Sequence, residues 1–191
     1  MSYWTELRTP TERELLVGIY DLTQYTLFSL RTAEMRLLEI MTGYHALIAK
    51  TIEDAGGIFI KPIGDAGLFA FPAEHADKAV EAIQLMLDDG DAWLSREGYP
   101  GRARVGIHVG PVAIGRIGAQ GREWLDIIGK TVNVVGGMQS FRFTMTPAVF
   151  RKLSPGLRKR FKKHTPPVSY IAADDPRPLS YWRGYERGVV P

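Results

Sequence analysis

Two long helix-like stretches, residues 31–55 and 74–93, enclose a pair of short apolar runs, and that order leaves few architectures open. In the first stretch Met35, Leu38, Met41, His45, Ile48 and Ile52 recur every three to four residues, as one apolar helix face requires. Gly56-Gly57 stops it. Residues 58–63 and 66–71 then read as a strand pair joined at Gly64-Asp65, and residues 74–93 as a second amphipathic helix ending before the turn residues Gly98, Pro100 and Gly101. The apolar run 14–21 ahead of this block and Arg104 to Val109 behind it also read as strands. The order strand, helix, strand, strand, helix, strand predicts an α+β fold with a ferredoxin-like βαββαβ core: one antiparallel sheet with helices on a single face.

Beyond the core, residues 112–117 and 122–127 predict a further strand pair and residues 130–141 a helix of modest quality. Residues 146–153 suggest a short helix, while Pro166-Pro167 and the segment 174–178 break the remainder into extended pieces. At 191 residues and 45% hydrophobic content the chain suits one well-filled core. A single domain is therefore expected over 1–191, with a core at about 14–141 extended by 142–191.

Composition excludes several classes. There is no cysteine, which rules out disulfide frameworks and thiolate metal sites and leaves oxygen or the four histidines to hold any metal. No apolar run nears the roughly 20 residues of a membrane helix, and the opening residues lack a signal-peptide core, so a cytoplasmic protein without membrane insertion is expected. The sequence pI of about 9.2 hints at nucleic acid until the charges are placed. Arg151, Lys152, Arg158, Lys159, Arg160, Lys162 and Lys163 share one acid-free stretch; setting those seven aside from the 24 basic residues leaves 17 against 21 acidic ones. Such a run reads first as a solvated face, and no nucleic-acid partner is expected.

The residues that carry chemistry begin with two aspartates at strand ends, Asp21 and Asp65. Singly, the first also suits a helix N-cap and the second a Gly-Asp hairpin turn. Together at the ends of short strands they suit a hard cation such as Mg²⁺, which prefers oxygen ligands and accompanies nucleotide phosphates. Four blocks surround them: Tyr20-Asp21-Leu22-Thr23-Gln24-Tyr25-Thr26, Lys61-Pro62-Ile63-Gly64-Asp65, Arg104-Val105-Gly106-Ile107-His108-Val109-Gly110, and Leu125-Asp126-Ile127-Ile128-Gly129-Lys130-Thr131-Val132-Asn133. In order and approximate spacing these blocks resemble the catalytic domain of the class III adenylate and guanylate cyclases, from about Leu15 to Ser140.

The resemblance implies that Asp21 and Asp65, helped by the Leu22 carbonyl, hold two Mg²⁺ or Mn²⁺ ions, and that the turn Thr23, Gln24, Tyr25, Thr26 offers backbone N–H groups to a triphosphate. It places Arg104 on the phosphates, with a solvent-facing strand arginine as the alternative, and gives Asn133 the catalytic role of positioning the ribose. Cyclisation needs the ribose 3′-oxygen to attack the α-phosphorus in line while pyrophosphate leaves, so two cations and positioned donors suffice without a nucleophilic side chain. For the base, adenine shows an acceptor at N1 and a donor at the 6-amino group, which an ammonium and a carboxylate complement; Lys61 and Asp126 supply that pair. Structurally, Lys61 also suits an exposed strand position and Asp126 a partner for Arg122 or Lys130.

One position leaves the family pattern. Four residues past Asn133 the family expects an arginine to stabilise charge on the α-phosphoryl, and this chain has Gly137. Losing one preorganised donor of that kind costs roughly 2.7 to 4 kcal/mol, or about 10²- to 10³-fold in rate. Arg142, nine residues past Asn133, faces the other side of a continuous helix, and the Arg116 hairpin would need a bend at Gly136-Gly137 to approach. Gly136-Gly137 also suits close approach of another backbone. His45 and His108 read as packed imidazoles without a role.

The resemblance thus implies an adenylate cyclase converting ATP to cyclic AMP and pyrophosphate, slowed by Gly137, with its sites at the interface of a head-to-tail homodimer. The alternatives are a degenerate, non-catalytic domain that binds nucleotide or dimerises, a guanylate cyclase, and, from fold analogy alone, an RNA-binding module, for which the strands lack an aromatic stacking motif.

Overall fold

The computed structural model describes residues 3–5, 7–138, 141–165 and 167–175. Strand β1 (Thr11–Leu22) is central, flanked by β3 (Ala66–Pro72) and by the long β4 (Ala103–Ala119). β2 (Ile58–Ile63) forms the edge beside β3, and β5 (Arg122–Ile128) folds back on the second half of β4. Past the first half of β4 the sheet continues through β6 (Phe143–Met145), β8 (Ser169–Ala172) and β7 (Phe161–His164). The strand-helix order predicted for the core is observed, with α2 (Glu34–Asp54) and α3 (Ala76–Arg96) as its two long helices.

The expectation of an antiparallel sheet holds with one exception: β6 joins β4 in parallel, because the chain crosses over through β5 and α4 (Lys130–Gly136) before re-entering the sheet in the same direction. The hairpin of β7 and β8 falls where the sequence shows no usable periodicity. Strands β6, β8 and β7 thereby make much of the expected extension a part of the same sheet. Of the predicted extended pieces, Pro166 and 176–178 lie outside the described residues.

The two helices of the core share a single face, as expected, and the extension adds α4 on the other. On one face α2 and α3 cover Leu16, Tyr20 and Leu22 of β1, Phe69 and Phe71 of β3, and Ala103, Val105, Ile107 and Val109 of β4. Side chains alternate along a strand, so Leu15 and Val17, Leu68 and Ala70, and Val112 and Ile114 point the other way, into a second core closed by Ile127 and by Val135 of α4. Each fully buried large apolar side chain contributes about 1.5–3 kcal/mol of transfer free energy, which fixes the strand register that sets every site residue's direction.

Two helix boundaries differ from the periodicity. The stretch 31–55 forms α2, which begins only at Glu34 behind a separate short helix α1 (Tyr25–Ser29), and the first turns of α2 overhang the sheet, leaving Met35 and Leu38 exposed by 68% and 59%. The predicted helix 130–141 stops at Gly136, where two successive glycines forfeit about 1 kcal/mol each relative to alanine. The basic run forms α5 (Pro147–Lys152), α6 (Pro155–Arg158) and β7, anchored by buried Leu153, Leu157 and Phe161. Several of its charges are used locally: Arg158 donates to the Phe150 carbonyl at 3.0 Å, Lys162 to the Ala173 carbonyl at 2.8 Å, and Lys152 pairs with Glu14 at 3.1 Å. Among the described residues no helix is long and apolar enough to cross a membrane.

Candidate functional site

Asp21 sits at the last turn of β1 on the face shared by Leu15, Val17 and Ile19, and Asp65 follows directly on the β2–β3 turn. The two carboxyl groups meet. Asp65 is pushed up to about 6, first by burial and then by its hydrogen bond to Asp21 and that group's charge, against N–H donors from its own backbone and from Leu22. Arg104, cross-strand from Asp21 in register, donates through Nε at 3.0 Å and through Nη2 to the same Asp21 oxygen. The guanidinium expected on phosphate thus lies on the Asp21 carboxylate in this state.

A cation fits this geometry. Two carboxylates brought together repel, hard oxygen donors suit Mg²⁺ or Mn²⁺, and a divalent ion would replace both the shared proton and the guanidinium. Among the described residues no group of three or more metal-binding side chains gathers, so backbone and phosphate oxygens would complete the coordination sphere.

The turn after β1 is held from the other side. Thr23 donates its N–H to the Arg102 carbonyl at 3.0 Å, exchanges two side-chain hydrogen bonds with the Arg102 backbone, and accepts from the Tyr99 hydroxyl at 2.7 Å through its carbonyl. The backbones approach so closely that a Cβ on Gly101 would lie 1.9 Å from the Thr23 oxygen. The Thr23 N–H is therefore engaged within the chain in this state. Gln24 takes the left-handed φ of 69° that turns the chain into α1, and its side chain leans on the Pro100 carbonyl at 3.4 Å. The N–H groups of Tyr25 and Thr26 open the helix and have no intrahelical acceptor.

Lys61 and Asp126, expected to read the base, are brought together. Lys61 on β2 forms an ion pair with Asp126 Oδ2 on β5, while Oδ1 accepts the Ile127 N–H at 2.8 Å. Asp126 is 5% exposed and the Lys61 side chain 34%, so the carboxylate is fixed and the ammonium is the part that can move. Arg122 and Lys130, the alternative partners, are not used. Asn133 lies exposed on the second turn of α4.

Gly137 caps α4 at φ −92°, a conformation open to any residue; a Cβ there would meet only the Asn133 and Val134 carbonyl oxygens, at 3.5 and 3.9 Å. Among the described residues no neighbouring backbone requires a glycine. It borders a cavity of about 370 Å³ with Val134, Met138, Phe141 and His164. Arg142 cannot replace the missing arginine, since it pairs with Asp91 and, at 2.7 Å, with Asp88 of α3. Arg116 donates to the Glu123 carbonyl within its own hairpin at 2.9 Å.

His108 is the half-buried, packed imidazole the sequence predicts, bonded to Thr146 Oγ1 at 2.8 Å. For His45 the expectation of a plain core residue falls short. Its Nδ1 lies 2.5 Å from the Tyr20 hydroxyl and its Nε2 2.9 Å from the Gly64 carbonyl. The signal available in sequence was a tyrosine immediately before Asp21 and a histidine one residue past Tyr44 on the buried helix face.

Comparison with known proteins identifies the family and the fold. Residues 11–164 match the family model for the adenylate and guanylate cyclase catalytic domain. An adenylate cyclase of Anabaena cylindrica is 29% identical over 163 residues, covering 78% of this chain and 32% of the relative. One from Streptomyces coelicolor is 30% identical over 129 residues, covering 68% and 30%. The chain thus spans about a third of the length of these curated relatives. Among solved structures, a bacterial light-regulated adenylyl cyclase superposes with a TM-score of 0.78 at 16% identity, over 94% of this chain and 57% of that one. The adenylyl cyclase CyaB from P. aeruginosa gives 0.73 at 19%, over 88% and 98%, and a guanylyl cyclase 0.71 at 18%, over 90% and 97%. Fold, site and the match over 11–164 lead to one assignment: this chain belongs to the adenylate and guanylate cyclase catalytic domain family.

Proposed function

We propose that this chain is an adenylate cyclase domain that converts ATP to cyclic AMP and pyrophosphate at the interface of a head-to-tail homodimer. The observation that carries the reading is the approach of Asp65 to Asp21, close enough for one carboxyl group to raise the pKa of the other, on a chain that also pairs Lys61 with Asp126. Both halves of a cyclase site are present in one sequence. Two Mg²⁺ or Mn²⁺ ions at the aspartates would supply Lewis acidity at the α-phosphorus and balance the phosphate charge.

The chain's own residues account for the rest. Arg104, displaced from Asp21, would be free to bind a phosphate oxygen, a charge-assisted contact stronger than its exposed ion pair. Lys61, separated from Asp126, would donate to adenine N1 while Asp126 accepts from the 6-amino group; guanine presents the reverse polarity at both places. Asn133 would orient the ribose. The curated relatives quoted above are adenylate cyclases, in line with that base preference.

Two groups of exposed apolar side chains support a dimer. Leu27, Leu30, Met35 and Leu38 are exposed on or beside α1 and the start of α2, and Ile117, Trp124, Ile128 and Val134 on the β4–β5 hairpin and α4. A two-fold arrangement that sets the first against the partner's second buries both twice. Product analysis with purified protein, ATP or GTP, and Mg²⁺ or Mn²⁺ tests the reading. Cyclic AMP is expected, falling to the level of a blank when Asp21 and Asp65 are both changed to alanine. Equal product from that variant sinks it.

Gly137 favours a second reading, in which the domain binds nucleotide without turnover. ATP binding with no cyclic product under either metal would establish it.

A further inference from the structure

We propose that His45 is a positioning residue for the metal-binding half of the site: it clamps the backbone on both sides of the carboxylate pair, through the residue before Asp21 and the residue before Asp65. The inference rests on the reading of Asp21 and Asp65 as cation ligands. Tyr20 and Gly64, the residues His45 touches, lie on different elements, the end of β1 and the β2–β3 turn, and His45 bridges them from α2.

The protons can be placed from the partners. A carbonyl only accepts, so Nε2 carries the hydrogen that faces Gly64 O at 2.9 Å. Nδ1 then offers a lone pair, and the Tyr20 hydroxyl donates to it. Both groups are neutral in this arrangement: an imidazole with a lone pair on Nδ1 carries a single proton, and the donating hydroxyl keeps its own. His45 therefore adds no charge to offset the aspartates. Its contribution is geometric.

Each end of the bridge needs that contribution for a different reason. Tyr20 is fully buried, edge-on to Tyr44 at 5.8 Å between ring centroids, and its ring crosses β3 where Gly67 leaves room; a Cβ on Gly67 would lie 2.5 Å from the ring and the hydroxyl. Adjacent strand residues face opposite ways, so a fixed Tyr20 fixes the direction of Asp21. The Gly64 turn is the opposite case. It adopts φ +64°, has open space where a side chain would stand, and follows Ile63, which is 48% exposed. The carboxylate it carries is repelled by Asp21, and a tether to a 21-residue helix resists that repulsion.

The test compares His45→Ala, His45→Gln and Tyr20→Phe in the full chain. Glutamine can accept at Oε1 and donate at Nε2, so it retains both bond types. Mn²⁺ binding in the presence of a non-hydrolysable ATP analogue, followed by electron paramagnetic resonance, is expected to weaken about tenfold in His45→Ala, to recover toward wild type in His45→Gln, and to weaken less in Tyr20→Phe. The preference for ATP over GTP, set at Lys61 and Asp126, is expected to stay unchanged.

Long-range ¹⁵N–¹H spectra should show the proton on Nε2, with the Nδ1 resonance moving in Tyr20→Phe. Wild-type Mn²⁺ affinity in folded His45→Ala overturns the proposal, as does a proton on Nδ1 or a glutamine variant no better than alanine. A wild-type protein that binds no Mn²⁺ counts against the cation reading instead. In that event the spectra decide the clamp alone: an Nε2 proton with a Tyr20-dependent Nδ1 supports it, and an Nδ1 proton overturns it.

Discussion

The two halves of the site are built to opposite electrostatic rules. At Asp21 and Asp65 like charges are forced together, and the strain is met by a raised Asp65 pKa, by Arg104 on Asp21 and by His45 holding the turn. At Lys61 and Asp126 opposite charges are already neutralised by one another. The first half gains when a cation arrives; the second must give up a bond before it can read a base. On the proposed reading the difference teaches where binding energy would be used: metal and phosphates would relieve an existing repulsion, whereas the base would repay an ion pair already satisfied within the chain.

If that contrast is right, the largest available change lies at Gly137, at the edge of the second half. Gly137→Arg returns a guanidinium to a position where a Cβ meets nothing closer than 3.5 Å and φ is ordinary. Turnover of ATP under Mn²⁺ is expected to rise by about 10²- to 10³-fold, the amount a missing preorganised donor removes. Steady-state kinetics should place the gain in kcat, since the contact forms with charge that develops during reaction. An unchanged kcat would mean that the ribose and phosphate side of this site works by other groups.

A smaller effect is expected at Lys61. Lys61→Ala removes one charge-assisted hydrogen bond to the base, a contact worth roughly 1.5–3 kcal/mol, and so weakens ATP by about tenfold or more. It should leave Mn²⁺ affinity intact, because the metal half lies elsewhere. Measured against GTP, the ratio of kcat/KM values is expected to collapse toward unity. A variant that loses metal and keeps its base preference would break the proposed division of the site.

Much of this was legible in the sequence, for identifiable reasons. The strands follow from short apolar runs such as Leu15, Leu16 and Val17, buried on both faces, so the strand ends carrying Asp21, Asp65 and Arg104 could be placed from pattern alone. What pattern could not supply were relations between faces. The apolar stripe of residues 31–55 includes Met35 and Leu38, which the structure leaves exposed; periodicity marks an apolar side but not how far the sheet beneath it extends. The alternation of β4 was visible, yet its even positions in the second half serve a second core under α4, which no local signal announces. Arg104 on Asp21 and His45 between Tyr20 and Gly64 are likewise products of tertiary approach, over 83 residues in one case and 25 and 19 in the other. The β7–β8 hairpin escaped notice because its strands are four residues each, too short to show a period.

The smallest effect tests the repulsion itself without metal or substrate. A carboxyl whose folded pKa lies at about 6, above its ordinary value of 3.8, binds its proton more tightly in the native state than in the unfolded chain. Stability from this group is therefore present below the unfolded value and declines as pH rises from about 4 to about 6, after which the native state carries the cost of the ionised pair. Asp65→Asn removes that ionisation while keeping the size of the side chain. In metal-free buffer the variant's Tm, relative to wild type, is expected to be higher at pH 7.5 than at pH 5 by a few degrees, on the order of what 1 kcal/mol yields in a domain of this size. Added Mn²⁺ should reverse the ordering at pH 7.5, because only the wild type gains a ligand that binds the folded state. A difference in Tm that does not change with pH would mean the carboxylates sit further apart than their hydrogen bond implies, and the first half of the site would lose its distinction from the second.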